Sequence, residues 1–150
     1  MSDNFLLLIP DKPTWVPSAT AREAAVRMLQ QALPLADDVS SAVTDEVRFV
    51  DCGANFDSVR CPRCGTDLGE WWTLAMEAAH EHNFRDLWAT TPCCAARLSL
   101  NDLVYSWPMG FARYTLEATN PVIGAELPGR LQPQLEKLLG CRLRVIWAHY

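Results

Sequence analysis

The stretch Cys61-Pro62-Arg63-Cys64-Gly65 decides how the centre of this 150-residue chain is expected to fold. Two cysteines separated by two residues can hold one metal ion from a single tight turn. Pro62 fixes its own φ angle, and Gly65 can adopt the positive φ that such a turn needs after its second cysteine. The spacing therefore predicts a metal-binding turn, which is a structural element and does not by itself indicate a reaction.

A second pair of thiols, Cys93-Cys94, follows this turn further along the chain. Thiolate sulfur is a preferred ligand of zinc, which takes four ligands in a tetrahedron at structural sites. The two pairs together predict a Zn²⁺ site with four thiolate ligands: Cys61, Cys64, Cys93 and Cys94. Adjacent cysteines reach one ion with less regular geometry than a Cys-x-x-Cys turn. The fourth ligand is therefore open between Cys93 and three alternatives: His80, His82 and Cys52.

The Cys-Pro-x-Cys-Gly segment at residues 61–65 resembles the knuckle of zinc ribbons and rubredoxins. When Thr91-Pro92-Cys93-Cys94-Ala95 is aligned with it, Cys94 matches the second ligand and Cys93 falls in the variable position. Thr91 then stands where a cysteine is expected, and Ala95 stands where the glycine is expected. The resemblance implies a zinc-ribbon type of site. With this resemblance we also expect the whole chain to belong to a small bacterial family of no assigned function. The excess of arginine, 11 of the 13 basic residues, suits a bacterial source.

A redox-active Cys-x-x-Cys motif is the rival interpretation of residues 61–64. Such a motif normally opens a helix directly after a strand, where the helix dipole lowers the thiol pKa. Here Gly65 and a helix start near Asp67 follow instead, which favours a metal knuckle. Four thiolates would leave no position on the ion for water or substrate. We therefore predict no catalytic residue, and a metal-dependent enzyme with one labile ligand remains an alternative.

Hydrophobic periodicity outside residues 51–110 predicts the order strand–helix–strand twice. The first half has strands at Phe5–Ile9 and Glu46–Val50, with a helix opened by a capping box at Thr20–Glu23. Ala36–Asp45 is expected to be a loop or one weak helical turn. The second half has strands at Phe111–Ala118 and Arg142–Trp147, with a helix that starts at Pro133 and stops at Gly140. This order predicts one α+β domain over residues 1–150, a ferredoxin-like split β-α-β sheet with a zinc-binding insertion at about residues 51–110. A mixed sheet that includes strands of the insertion is the alternative.

Composition narrows the functions to consider. The net charge of −5 disfavours a general binder of nucleic acid, which usually has a basic face. No apolar run approaches the ~18 residues of a membrane span, and six cysteines without a signal peptide predict a cytoplasmic protein with reduced thiols.

The aromatic-rich run Leu103–Phe111 suits core packing or contact with a protein partner. Our main hypothesis is a non-enzymatic protein that binds a protein partner. One form of it is an immunity or antitoxin-type protein, whose acidity would complement a basic toxin. A nucleic-acid-associated regulator is the second hypothesis. It would use Arg142 and Arg144, which alternation places on the outward face of the last strand.

Overall fold

The computed structural model describes residues 2–150 as a mixed α+β structure with three helices and eight strands. Four strands form the main sheet: β1 (Asn4–Pro10), β2 (Asp38–Val50), β7 (Gly110–Thr119) and β8 (Leu143–His149). Their order across the sheet is β2–β7–β1–β8, and each neighbouring pair is antiparallel. Helix α1 (Ala19–Ala32) joins β1 to β2, and helix α3 (Leu131–Leu139) joins β7 to β8. The predicted strand–helix–strand order of the two halves is therefore confirmed.

Helices α1 and α3 cover one face of the main sheet and build the larger core with it. Alternate residues of β1 and β7 point at the helices, as the pleat of a strand requires. This core contains Leu6, Leu8, Ala25, Leu29, Leu33, Tyr114, Leu116, Ala118, Leu131, Leu135, Leu139 and Leu143. Burial of so many large aliphatic side chains is the main force that holds the two helices on the sheet.

The helix ends differ in detail from the prediction. The cap of α1 is Ser18, whose Oγ accepts a hydrogen bond from the Ala21 amide at 3.2 Å, so the predicted capping box at Thr20–Glu23 is wrong. A serine two residues earlier offers the same kind of hydroxyl oxygen and lengthens the helix by two residues. Helix α3 begins at Leu131, which makes Pro133 its third residue instead of its first. Gly140 ends α3 at a φ of 71°, as predicted.

Strand β2 is the largest departure from the prediction. Residues 36–45 were expected to form a loop, but Asp38–Val43 pairs with β7 from Thr119 back to Tyr114. The register shifts between Val43 and Arg48, which marks a β-bulge. Serines and an aspartate give this segment a weak strand signal, but the ladder offered by β7 satisfies its backbone groups.

The inserted segment forms two small ribbons of its own and adds no strand to the main sheet. Strand β3 (Val59–Arg60) pairs with β6 (Val104–Tyr105), and β4 (Trp88–Thr90) pairs with β5 (Arg97–Ser99). Helix α2 (Gly69–Glu81) lies between β3 and β4 in the sequence. A 3₁₀ turn at Leu100–Asp102 follows β5. The alternative in which the insertion contributes strands to the sheet is therefore wrong.

The insertion packs on the face of the main sheet opposite α1 and α3. Its Cys52 and Met109 are buried there against side chains from β1 and β8, chiefly Leu7, Ile9 and Ile146. Hydrogen bonds also stabilise this interface between the insertion and β8. The Arg144 guanidinium donates to the Met109 carbonyl at 2.7 Å and to the Asn101 side-chain oxygen at 3.0 Å. The cysteine-bearing turns belong to this packed insertion. Within residues 2–150 no helix combines the length and the apolar character that a membrane span requires.

Candidate metal centre

The four predicted cysteines meet at one point of the insertion. The Sγ atoms of Cys61, Cys64, Cys93 and Cys94 all lie within 4.8 Å of one another. Measured separations are 3.2 Å for Cys64–Cys93, 3.7 Å for Cys61–Cys94 and 3.9 Å for Cys93–Cys94. A tetrahedron of sulfurs about 2.3 Å from a central zinc has edges of about 3.8 Å. A disulfide would instead need about 2.05 Å, so the geometry fits a metal site and not a covalent bridge.

The first turn has the backbone hydrogen bonding of a tight hairpin. The Cys61 amide donates to the Thr66 carbonyl, and the Gly65 amide donates to the Cys61 carbonyl, both at 2.9 Å. Gly65 has a φ of 77°, so the glycine supplies the positive φ that the sequence predicted. Residues on either side continue as β3 and a bridge between Arg60 and Asp67. The hairpin thus presents both thiols from one turn.

The second turn repeats the same backbone pattern. The Thr91 amide donates to the Ala96 carbonyl at 2.9 Å, and the Ala95 amide donates to the Thr91 carbonyl at 3.0 Å. Ala95 has a φ of 54°, the left-handed conformation that Gly65 has in the first turn. These bonds correspond, residue by residue, to those of the first turn. The two turns are therefore equivalent in backbone structure, although one of them lacks the first cysteine and the glycine.

Thr91 takes the position that the missing cysteine would have. It is buried, its Oγ1 accepts the Ala96 amide at 3.1 Å, and it lies 3.6 Å from the Cys94 sulfur. The fourth sulfur comes from Cys93, in the variable position of the turn. A thiol at that position reaches the cluster because the turn closes tightly around residues 91–96. The adjacent pair Cys93-Cys94 thus brings two sulfurs to the group despite its irregular spacing.

The cluster has a buried side and an exposed side. Cys61 is buried and Cys94 is half-buried, whereas Cys64 and Cys93 are exposed. Behind Cys61 lies a second apolar core, which joins both ribbons and α2 to the bulged part of the sheet: Val47, Val59, Leu68, Ala79, Phe84, Leu100, Leu103 and Phe111. Solvent therefore reaches the sulfur group through Cys64 and Cys93.

Hydrogen bonds and burial shift the thiol pKa values in different directions. Thr66, whose Oγ1 lies 3.2 Å from the Cys64 sulfur, lowers the pKa of Cys64 to about 6. Burial raises the pKa of Cys61, but the amides of Cys64 and Arg63 outweigh it, so its pKa is lowered. Burial, followed by the neighbouring Cys64, raises the pKa of Cys93 to about 11. The lowered pKa of Cys64 favours its thiolate near neutral pH in the metal-free group.

The alternative fourth ligands lie apart from the sulfur group. Cys52 is buried under the main sheet with Met109 and Ile146, and burial, with Asp51 second, raises the pKa of its thiol. His80 is exposed on α2 and packs edge-on against Phe84, with ring centroids 5.5 Å apart. His82 is the exposed C-terminal cap of α2. None of the three belongs to the group of four thiols found within residues 2–150.

Some residues that shape the site carry no motif that sequence analysis could use. Thr66 and Thr91 act by single hydroxyl contacts with Cys64 and Cys94, which only the folded turns bring about.

Arg144, expected on an outward face, is half-buried and bonded to Met109 and Asn101, whereas Arg142 is exposed. Arg144 therefore anchors the insertion, and its guanidinium is engaged within the protein.

Comparisons of the chain with protein-family models, curated proteins and solved structures found no match. The expected bacterial family and the zinc-ribbon type of site thus gain no support from a relative.

Proposed function

We propose that this chain binds one structural zinc ion through Cys61, Cys64, Cys93 and Cys94. The observation that carries the proposal is the convergence of four sulfurs at separations close to the edges of a zinc–thiolate tetrahedron. Four soft thiolates in this arrangement suit zinc, or iron as the other metal that such sites hold. Zinc would tie the two turns together and supply no reactive position, because its coordination sphere would be full.

We further propose that the main sheet is a ferredoxin-like split β-α-β arrangement. Numbered among themselves, the four strands of the main sheet lie in the order 4-1-3-2, with helices between the first and second and between the third and fourth. This is the order expected when two β-α-β halves interlock in one antiparallel sheet. The cysteine-bearing insertion then replaces the short connection between the halves.

The function that this arrangement supports best is binding of a protein partner, without catalysis. Five large apolar side chains of the insertion are more than two-fifths exposed: Phe56, Leu74, Trp88, Val104 and Trp107. Trp88 is 58% exposed and is held by the Arg97 guanidinium, which lies 5.7 Å from its ring centroid. Exposed aromatic side chains on a rigid support are typical anchors of protein interfaces. The zinc would make the support rigid.

The acidity of the chain suggests what the partner looks like. A net charge of −5 complements a basic surface, and complementary charge speeds association and selects partners. An immunity or antitoxin-type protein that covers a basic toxin would have this character. Reduced thiols are maintained in the cytoplasm, which is the compartment we propose for such a protein.

The metal and the partner are tested separately. Elemental analysis and X-ray absorption of protein purified without added metal should give one zinc with four sulfur neighbours. Affinity capture with the zinc-loaded protein, followed by repetition with pure components, should give a basic protein that binds without being altered. A coordination sphere that contains water, or turnover of any substrate that depends on these cysteines, would contradict the proposal.

A further inference from the structure

Strand β2 is an edge of the main sheet, and its outer side is open. Within residues 2–150 the ladder partners of Val39–Val43 all belong to β7, on the inner side. The opposite edge is treated differently: the Ala54 amide donates to the His149 carbonyl at 2.8 Å, and the Asn55 side chain donates to the Trp147 carbonyl at 3.0 Å. The insertion thus covers part of the outer side of β8, while the outer backbone groups of β2 remain available.

The run Val39–Val43 lacks the features that protect sheet edges from pairing. Natural edges carry lysine, proline, inward charges or bulges. Val-Ser-Ser-Ala-Val has no charge and no proline, and the bulge of β2 lies beyond it, between Val43 and Arg48. Val43 is 41% exposed. A run of five residues is long enough for a new strand to pair with it.

Recesses lie on both faces of this edge. On the face away from the helices, a groove of about 390 Å³ runs beside Ala42 and is floored by Leu7, Ala112 and Glu117. On the helix face, a recess of about 350 Å³ lies between Ser41 and α1, near Val26 and Arg27. Side chains of an added strand alternate between the two faces. Both sets of side chains would therefore find space next to β2.

The charges at the two ends of Val39–Val43 indicate which kind of segment would pair with the outer side of β2. Asp37 and Asp38 precede it and Asp45 follows it, all of them exposed. In antiparallel pairing with a second copy, any register that joins the uncharged runs places Asp37 or Asp38 near Asp45. Like charges on opposed strands are destabilising, so self-pairing is disfavoured. A segment with basic residues at its ends meets favourable charge at both.

We propose that the outer edge of β2 over Val39–Val43 binds an extended segment of a partner protein, which adds a strand with an uncharged centre and basic ends. Main-chain hydrogen bonds provide affinity in this mode of recognition, and the recesses and flanking charges provide specificity. This inference rests on the proposed function, because the inference adds the edge of β2 to the surface that binds a protein partner.

The test uses the full-length zinc-loaded protein and two synthetic peptides. Both have the same centre of alternating threonine and valine, and they carry either lysine pairs or glutamate pairs at the ends. We expect the lysine peptide to bind about tenfold more tightly, with amide chemical-shift changes concentrated at Val39–Val43. Val43→Lys should abolish this binding, whereas Val122→Lys, which alters a valine 64% exposed in the connection that follows β7, should leave it unchanged. Both variants should remain folded by circular dichroism.

Several outcomes would overturn the inference: equal affinity for both peptides, shift changes elsewhere, or absence of binding. A dimer in sedimentation that Val43→Lys dissociates would assign the edge to a second copy instead. If a captured partner binds Val43→Lys as tightly as the unaltered protein, the inference about the β2 edge is wrong, but the proposed function is not contradicted. If the lysine peptide binds at β2 but the protein contains no zinc, the surface stands and the metal proposal fails.

Discussion

Thr91 has in the second turn the backbone position that Cys61 has in the first. Both residues donate their amide to the carbonyl five positions later, to Ala96 and Thr66 respectively, and both accept the amide four positions later. The turns are thus two copies of one structure, but one of them has a hydroxyl at the first ligand position. Cys93, two positions after Thr91, supplies the fourth sulfur of the group.

This equivalence predicts that the fourth sulfur can be moved. Cys93→Ser should lower zinc affinity by roughly tenfold or more, because one thiolate ligand is lost. Adding Thr91→Cys to Cys93→Ser should restore four sulfurs and most of the affinity, measured by competition with a chromophoric chelator. Thr90→Cys in the same background, one position away and on an exposed part of β4, is the control and should restore little. Failure of the Thr91→Cys rescue would show that the turns are not equivalent.

Removal of a ligand should affect the insertion first. Cys64→Ser should release the metal and expose the second apolar core, since metal binding is part of the folding free energy of such segments. Cys141→Ser is the matched control, because Cys141 is a half-buried thiol outside the group of four. His82→Ala should leave one zinc per chain. Zinc content and near-ultraviolet circular dichroism report both effects, and loss of zinc from His82→Ala would contradict the assigned ligands.

Replacement of Gly53 by any residue with a side chain is expected to destabilise the fold. It has a φ of 60° and pairs with His149, and a Cβ there would overlap the His149 carbonyl oxygen. Gly53→Ala should therefore lower the free energy of unfolding by about 2 kcal/mol or more. Gly124→Ala is the control, because a Cβ at Gly124 meets no atom within 4 Å. Denaturant unfolding measures both variants, and equal midpoints would show that the insertion does not depend on this contact.

The hydroxyl of Thr66 should control the ionisation of Cys64 in the metal-free protein. Thiolate absorbance should show a group that titrates near pH 6, and Thr66→Val should raise this midpoint by about one pH unit. Because the folded pKa lies below the ordinary value, the stabilisation is fully present above about pH 8.5 and is lost as the pH falls through about 6. Thr90→Val, at an exposed position, should not move the midpoint. An unchanged midpoint in Thr66→Val would refute the assigned cause.

Residue patterns predicted the parts of the molecule that local chemistry determines. The order of the four main strands and two helices follows from hydrophobic periodicity, and the first turn follows from proline, glycine and cysteine spacing. The alignment of residues 91–95 with residues 61–65 matched Cys94 to the second ligand position, but Thr91 and Ala95 break the motif, so the second turn itself was not predicted. Backbone hydrogen bonding keeps the turn without its usual residues.

The missed parts depend on tertiary partners. Residues 38–43 have a weak strand signal, and β7 makes them a strand by pairing with them. Arg144 looked like a surface residue because alternation marks the side of a strand but not what covers it. The insertion covers that side, so the guanidinium finds the Met109 carbonyl. The contacts of Thr66 and Thr91 with sulfur likewise arise only after the turns close.

X-ray absorption at the zinc edge, with elemental analysis of protein purified without added metal, tests the central claim most directly. The account predicts one zinc per chain with four sulfur neighbours at about 2.3 Å, unchanged in His82→Ala and reduced to three in Cys93→Ser. Protein that is fully folded without metal, or a zinc with nitrogen or oxygen in place of one sulfur, would contradict it.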